Sequence, residues 1–238
     1  MKKENILING CSRGLGFDFL KHLNSFYNVY GLSSIKKNSE NIFYYNPIQD
    51  INLSKELIQK LKSIKIDHVI HCSGGGFKKH DKLLDVKSLQ NLFDVNFYSI
   101  YEINKFLIKK KLKNQKLNII MFGSLAAFEN NKGSIGYSAA KSVLLNYNKN
   151  LASSFVKYNV ITKLVIPGSF LSTRGSMNRL RKSNIRIFSK LEKEIPYGRM
   201  QSSRDIIKFC EFLLKKESDL LNGSSISLTN LESKSIFI

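Results

Sequence analysis

Asn5-Ile6-Leu7-Ile8-Asn9-Gly10-Cys11-Ser12-Arg13-Gly14-Leu15-Gly16 is the stretch that decides how this chain folds. A short apolar run stops at Gly10. Gly10, Gly14 and Gly16 stand in the spacing G-x-x-x-G-x-G, and Phe17, Leu20, Leu23 and Phe26 then recur at helical intervals. The order is strand, turn, helix. Glycines let a backbone turn sharply and come close to a phosphate. A helix that starts there turns free N–H groups and a partial positive charge toward an anion. The turn therefore reads as a phosphate-holding loop between the first strand and the first helix.

The same alternation continues outward. Apolar runs over Val29 to Leu32, Ile42 to Tyr45, Asp67 to Ser73, Leu117 to Phe122, Val160 to Ile166 and Ser225 to Leu228 read as strands. Between them lie helical patterns: Leu53, Leu57, Leu61 and Ile64; then Leu89 to Lys111, Ser138 to Tyr158 and Asp205 to Lys216. This predicts an α/β fold of three α/β/α layers, a doubly wound parallel sheet of about seven strands joined by right-handed crossovers. Ligands in such sheets bind at the carboxyl ends of the strands. No linker or repeat divides residues 1–238, so a single domain is expected.

Composition narrows the function classes. The chain has 238 residues and no apolar stretch near the ~20 needed to span a bilayer. A soluble cytoplasmic protein without membrane attachment is expected. Cys11, Cys72 and Cys210 are scattered, with neither metal-ligand nor disulfide spacing. The formal charge of +20 would suit an acidic partner, but the lysines are spread along the chain, so no nucleic-acid role is expected.

Tyr137-Ser138-Ala139-Ala140-Lys141 sets a tyrosine and a lysine four residues apart, on one helical face. Ser124 ends the fifth strand and Asn96 lies early in a long helical segment. These types suit carbonyl chemistry. Hydride delivery to a carbonyl leaves an alkoxide that must be protonated. A tyrosine hydroxyl can do this, and a nearby ammonium would lower its high pKa. Ser124 would donate to the carbonyl oxygen. Lys141 would also hold the nicotinamide ribose, and Asn96 a water that continues the proton relay.

The glycine turn and the Asn96, Ser124, Tyr137, Lys141 set together resemble the short-chain dehydrogenase/reductase family, over roughly residues 4 to 230. The resemblance implies a nicotinamide-dependent oxidoreductase, reversibly reducing carbonyls or oxidising alcohols. It implies cofactor contacts from Gly10, Ser12, Arg13, Gly14, Leu15 and Gly16, and from Ser33 and Ser34. Further contacts are expected from Asn46, Cys72, Ser73, Gly74, Tyr137, Lys141, Pro167, Gly168 and Ser172. No acid follows strand two before Glu40, while Ser33, Ser34, Arg13 and Lys36 would accept a 2′-phosphate. NADP(H) is therefore favoured over NAD(H).

The chain also departs from the family. Asn-Asn-Ala-Gly after strand four reads His71-Cys72-Ser73-Gly74, Asn46 stands where an adenine-side Asp is usual, and the closing glycines after Leu228 are missing. Substrate contacts are expected from Gly75 to Lys82 and from a basic lid over about 170–194. The lid suits a small, anionic or sugar-derived metabolite. The alternatives are 3-oxoacyl-[acyl-carrier-protein] reductase, with an acyl carrier protein as partner, and a non-catalytic dinucleotide-binding regulatory protein. The resemblance further implies a homodimer or homotetramer through the two long helices.

Overall fold

In the computed structural model, residues 3–76, 83–111, 115–129 and 135–234 are described. The expected site residues all fall within them, but Phe77 to Lys82, most of the first expected substrate segment, lie outside.

The core is a seven-stranded parallel sheet in the order β3-β2-β1-β4-β5-β6-β9. Its strands are β1 (Asn5–Asn9), β2 (Asn28–Ser33), β3 (Ile42–Tyr44), β4 (His68–His71), β5 (Leu117–Phe122), β6 (Val160–Pro167) and β9 (Ser225–Leu228). Two further strands, β7 (Phe170–Leu171) and β8 (Gln201–Ser202), pair separately, parallel to each other. The side-chain period of two divides each central strand between two cores. Leu7, Val69, Ile119 and Leu164 face one side, and Ile6, Ile70, Ile120 and Val165 the other. On the first side lie α2 (Lys55–Ser63), α4 (Ser99–Lys110) and α5 (Ile135–Phe155), and on the second α1 (Gly14–Leu23) and α8 (Ser203–Leu214). All six residues of β5 are buried, as a central parallel strand covered on both faces requires.

β1 pairs with β2 on one side and β4 on the other. The strand order reverses there, which opens a crevice at the carboxyl ends of β1 and β4. The glycine turn follows β1 and Cys72-Ser73-Gly74 follows β4.

Two regions differ from the sequence reading. The pattern over Leu89 to Lys111 is not one helix. It is α3 (Val86–Phe93), a π-helical turn over Asp94–Tyr98, then α4. α3 starts earlier than expected because the Asp85 carboxylate accepts from Ser88 N at 2.8 Å and caps it. The π turn arises where Asn96 Nδ2 donates to the Leu92 carbonyl at 2.8 Å, taking an acceptor that an α-helix gives to the backbone. The lid segment contains two helices, α6 (Ser176–Ser183) and α7 (Ile185–Lys193), which the apolar pattern did not announce. They gather around Phe188, Ile195 and Met200, a small core of their own. No described helix is long and apolar enough to cross a membrane.

Candidate active site

The glycines of the turn have different physical reasons. Gly10 (φ +88°) is left-handed, and a Cβ there would lie 2.6 Å from Ser73 N. A Cβ on Gly16 would lie 2.2 Å from the Gly10 carbonyl oxygen. These two let β1, α1 and the segment after β4 pack. Gly14 is different: φ is +64° and the nearest atom to its Cβ direction is Ser172 Oγ at 3.8 Å. That face is open to a ligand. Arg13, the cap residue of α1, makes no side-chain cap bond, and the first turn of α1 holds no acid. The cradle thus fits a phosphate group, with Leu15 contributing backbone only, since its side chain is buried in the core. Gly16→Ala should cost about 1–3 kcal/mol or more of stability, because a backbone oxygen cannot step aside. It should also weaken dinucleotide binding; urea unfolding and NADPH titration would check both.

Beside the turn lies a cavity of about 230 Å³ lined by Gly10, Ser12, Arg13, Ser34, Asn46, Cys72, Ser73 and Gly74, among others. It brings together the expected contacts of an adenosine half. Ser33 is the exception. It is fully buried and its hydroxyl donates to the Ile35 carbonyl at 2.6 Å. A tight turn therefore takes the group expected to meet a 2′-phosphate, and Ser34 and Arg13 remain at the cavity. Lys36 lies over the Tyr44 ring instead.

The expected catalytic residues gather at the carboxyl ends of β4 and β5. Ser124 follows β5, and its Oγ accepts from Ala126 N at 3.2 Å. Tyr137, early in α5, is half-buried, with the Ser124 hydroxyl near enough to favour its ionised form. One turn on, Lys141 is buried and its Nζ donates to the Phe122 carbonyl at 2.8 Å. Gly74 lies between two of these groups: a Cβ there would be 2.9 Å from Asn96 Oδ1 and 3.1 Å from Lys141 Nζ.

The electrostatics differ from expectation. Burial raises the Tyr137 hydroxyl above the usual tyrosine value, and the nearby Ser124 hydroxyl works the other way. Burial also pushes the Lys141 ammonium down to about 8, and its Nζ donates to the Phe122 carbonyl. Asn96 is also more committed than a water-holder would be. Both Nδ2 protons are used, on Gly75 O (3.1 Å) and Leu92 O, while Oδ1 accepts from Gly75 N at 3.0 Å. One Oδ1 lone pair remains. In this arrangement Asn96 braces the backbone against which Lys141 sits.

The Pro167–Gly168 turn ends β6, and Gly168 N donates to the Leu228 carbonyl at 2.9 Å. Ser172 is buried above the open face of Gly14. The next residue docks on α1: Thr173 O accepts from Gly14 N at 2.8 Å, and Thr173 N donates to Asp18 at 2.9 Å. The segment that starts at Phe170 is thereby anchored on the glycine turn, a contact the sequence did not suggest.

His71, a departure from the family pattern, is explained by its bonds. It is fully buried between β1 and α4, with Nδ1 3.2 Å from Asn9 Nδ2 and Nε2 2.9 Å from Asn104 Oδ1. Asn9 Nδ2 can only donate and Asn104 Oδ1 only accept, so the ring is neutral with its proton on Nε2. Burial holds its pKa down at about 4. His71 is a brace of the central strands, and its neighbour Cys72 is an inert thiol raised by burial.

A family model described as Enoyl-(Acyl carrier protein) reductase matches residues 48–229. The chain belongs to this family, within the short-chain dehydrogenases/reductases, and is an NAD(P)-dependent oxidoreductase. A relative is the 3-oxoacyl-[acyl-carrier-protein] reductase FabG of Buchnera aphidicola subsp. Schizaphis graminum, 25% identical over 240 residues, 95% of this chain and 96% of that one. A short chain dehydrogenase family protein from Francisella tularensis has the same fold, with a TM-score of 0.77 at 22% identity over 96% of this chain and 98% of that one. So does BdcA, whose structure is in complex with NADPH, with a TM-score of 0.77 at 16% identity over 97% and 95%.

Proposed function

We propose that this protein is an NADP(H)-dependent carbonyl reductase, reversibly an alcohol dehydrogenase, acting in the cytoplasm on a small anionic or sugar-derived metabolite. Residues 1–238 serve as one binding and catalytic domain with 170–194 as its lid. The observation that carries the reading is the meeting of Tyr137, Ser124, Lys141 and Asn96 beside the cavity that the glycine turn helps line. The nicotinamide supplies or accepts the hydride. Tyr137 gives the proton to the nascent alkoxide, Ser124 orients the oxygen, and Lys141 holds the ribose side with Asn96 bracing its surroundings. Pro167, Gly168 and Ser172 border the nicotinamide end. NADP(H) is favoured because Arg13 and Ser34 line the cavity where an acid would reject a 2′-phosphate. The exposed aromatic side chains Tyr98 and Tyr101 on one face of the π turn and α4 suit a homodimer or homotetramer.

A second reading, reduction of 3-oxoacyl groups on an acyl carrier protein, is favoured by the FabG relative and by the basic lid, where Arg174, Arg179, Arg181 and Arg186 are exposed. NADPH oxidation should be followed against acetoacetyl thioesters and a panel of sugar and hydroxy-acid carbonyls. Thioester turnover would select the second reading. No turnover across the panel, with NADPH still bound, would select a regulatory dinucleotide-binding protein. Arg13→Ala should raise KM for NADPH about tenfold or more and leave that for NADH within twofold, reflecting one charge-assisted bond to phosphate. Equal effects on both cofactors would remove Arg13 from the 2′-phosphate.

A further inference from the structure

We infer that residues 229–234 form a strap that positions the reactive end of the site, with Glu232 as its pin. The strap leaves β9 through two consecutive non-glycine residues in the left-handed region, Asn230 (φ 51°) and Leu231 (φ 63°). Side chains other than glycine rarely hold such angles unless surrounding contacts enforce them. The Glu232 carboxylate takes two bonds from Ser169, from its N–H at 2.5 Å and from its hydroxyl at 2.7 Å. Its oxygen lies where a Cβ on Gly168 would be, 2.6 Å away. Two residues on, Glu129 accepts from Ser233 Oγ at 2.6 Å and from Lys234 N at 2.8 Å. Behind the strap, Asn230 Nδ2 donates to the Arg199 carbonyl at 3.4 Å.

These three anchor points belong to three different walls. Ser169 follows the Pro167–Gly168 turn, Glu129 lies in the segment that follows Ser124, and Arg199 lies after helices α6 and α7. The strap ties them across sequence separations of 63 and 104 residues. Its Glu232 carboxylate is the link to the Pro167–Ser169 turn, and charge-assisted bonds of this kind are the strong ones. Glu232 touches neither Tyr137 nor the cavity, so it is a positioning residue. It fixes the turn after β6 relative to the segment that follows Ser124. The inference rests on the proposed reaction for its catalytic consequence, but the clamp itself does not.

The test compares Glu232→Ala and Glu232→Gln with wild type. Glutamine keeps an acceptor for Ser169 N–H and is expected to rescue. In the alanine variant, amide exchange at Ser169 should quicken at least tenfold, and kcat should fall about tenfold or more. KM for NADPH should stay within threefold, and the glutamine variant within threefold of wild-type kcat. A kcat for Glu232→Ala within twofold of wild type overturns the positioning role. So does an equal loss of kcat and melting temperature in both variants, which marks a merely structural contact. If wild type itself turns over no carbonyl, the proposed reaction fails and the clamp is judged on bound NADPH alone. Altered reduced-nicotinamide fluorescence in Glu232→Ala at unchanged affinity supports it, and an identical signal overturns it.

Discussion

Tyr137→Phe should lower kcat for carbonyl reduction by about 100- to 10,000-fold, the usual worth of a positioned general acid, while NADPH affinity and melting temperature stay near wild type. The variant removes one oxygen. The ring stays half-buried on α5, so the packing survives. What goes is the proton donor that faces Ser124. Burial raises the Tyr137 pKa, which keeps the hydroxyl protonated at neutral pH. Reduction needs that protonated form and oxidation needs the phenolate, so the ratio of oxidation to reduction rates should climb toward alkaline pH in wild type. Stopped-flow single turnovers with both proteins would separate this step from product release. Turnover by the phenylalanine variant within tenfold of wild type would move the proton donor elsewhere. Lys141→Ala would be the less clean experiment, since it also strips a donor from the Phe122 carbonyl and empties a buried site.

Much of this site could be read from the chain because its signals are local. The turn from Gly10 to Gly16 and the pair Tyr137 and Lys141 each sit within one element boundary, and the apolar runs marked the seven strands of the main sheet along the chain. The remainder depends on contacts that sequence spacing does not encode. Asn96 reads as a relay residue early in one long helix, yet its amide group bonds Leu92 at a π turn that interrupts that helix. Ser33 and Ser34 look equivalent until the chain bends and Ser33 bonds Ile35. α6 and α7 hide because their charged residues far outnumber the few apolar ones that face Phe188. His71 looks like a lost motif residue, but Asn9 and Asn104 satisfy it from two other elements. Glu232 gave no signal, since its partner Ser169 is 63 residues away.

Lys163 is the clearest case of a residue whose meaning only packing reveals, and its replacement should have the largest effect on stability. It lies in the middle of β6 with no solvent exposure. Nζ donates to Asn118 Oδ1 at 3.2 Å, to the Leu213 carbonyl at 2.9 Å and to Ser218 Oγ at 2.8 Å. All three protons are used, and the ammonium ties β5, β6 and the end of α8 together. Lys163→Ala leaves a buried cavity where the four-carbon stem was and should cost about 2–5 kcal/mol at pH 7 by urea unfolding. Lys163→Met fills the same space. Leu213 O keeps its bond from Asn118 Nδ2 at 2.8 Å, but Asn118 Oδ1 and Ser218 Oγ each lose a donor in a buried site, so methionine should cost about 1–3 kcal/mol at pH 7. The two proteins should then part further as pH rises. Burial, offset in part by Asp219, depresses the folded pKa of Lys163 to about 8 from an ordinary value of 10.5. Below pH 8 both folded and unfolded lysines are charged and the fold carries the full desolvation cost. Between 8 and 10.5 the folded lysine gives up its proton first, so wild-type stability rises with pH through that window. Wild type should therefore gain about 1–3 kcal/mol on Lys163→Met between pH 7 and 10.5. Surface lysines and Lys141 titrate in both proteins and cancel in the difference. A difference that stays flat across this range would mean that the ammonium is held at its ordinary pKa by its three acceptors, and that β6 tolerates the charge without cost.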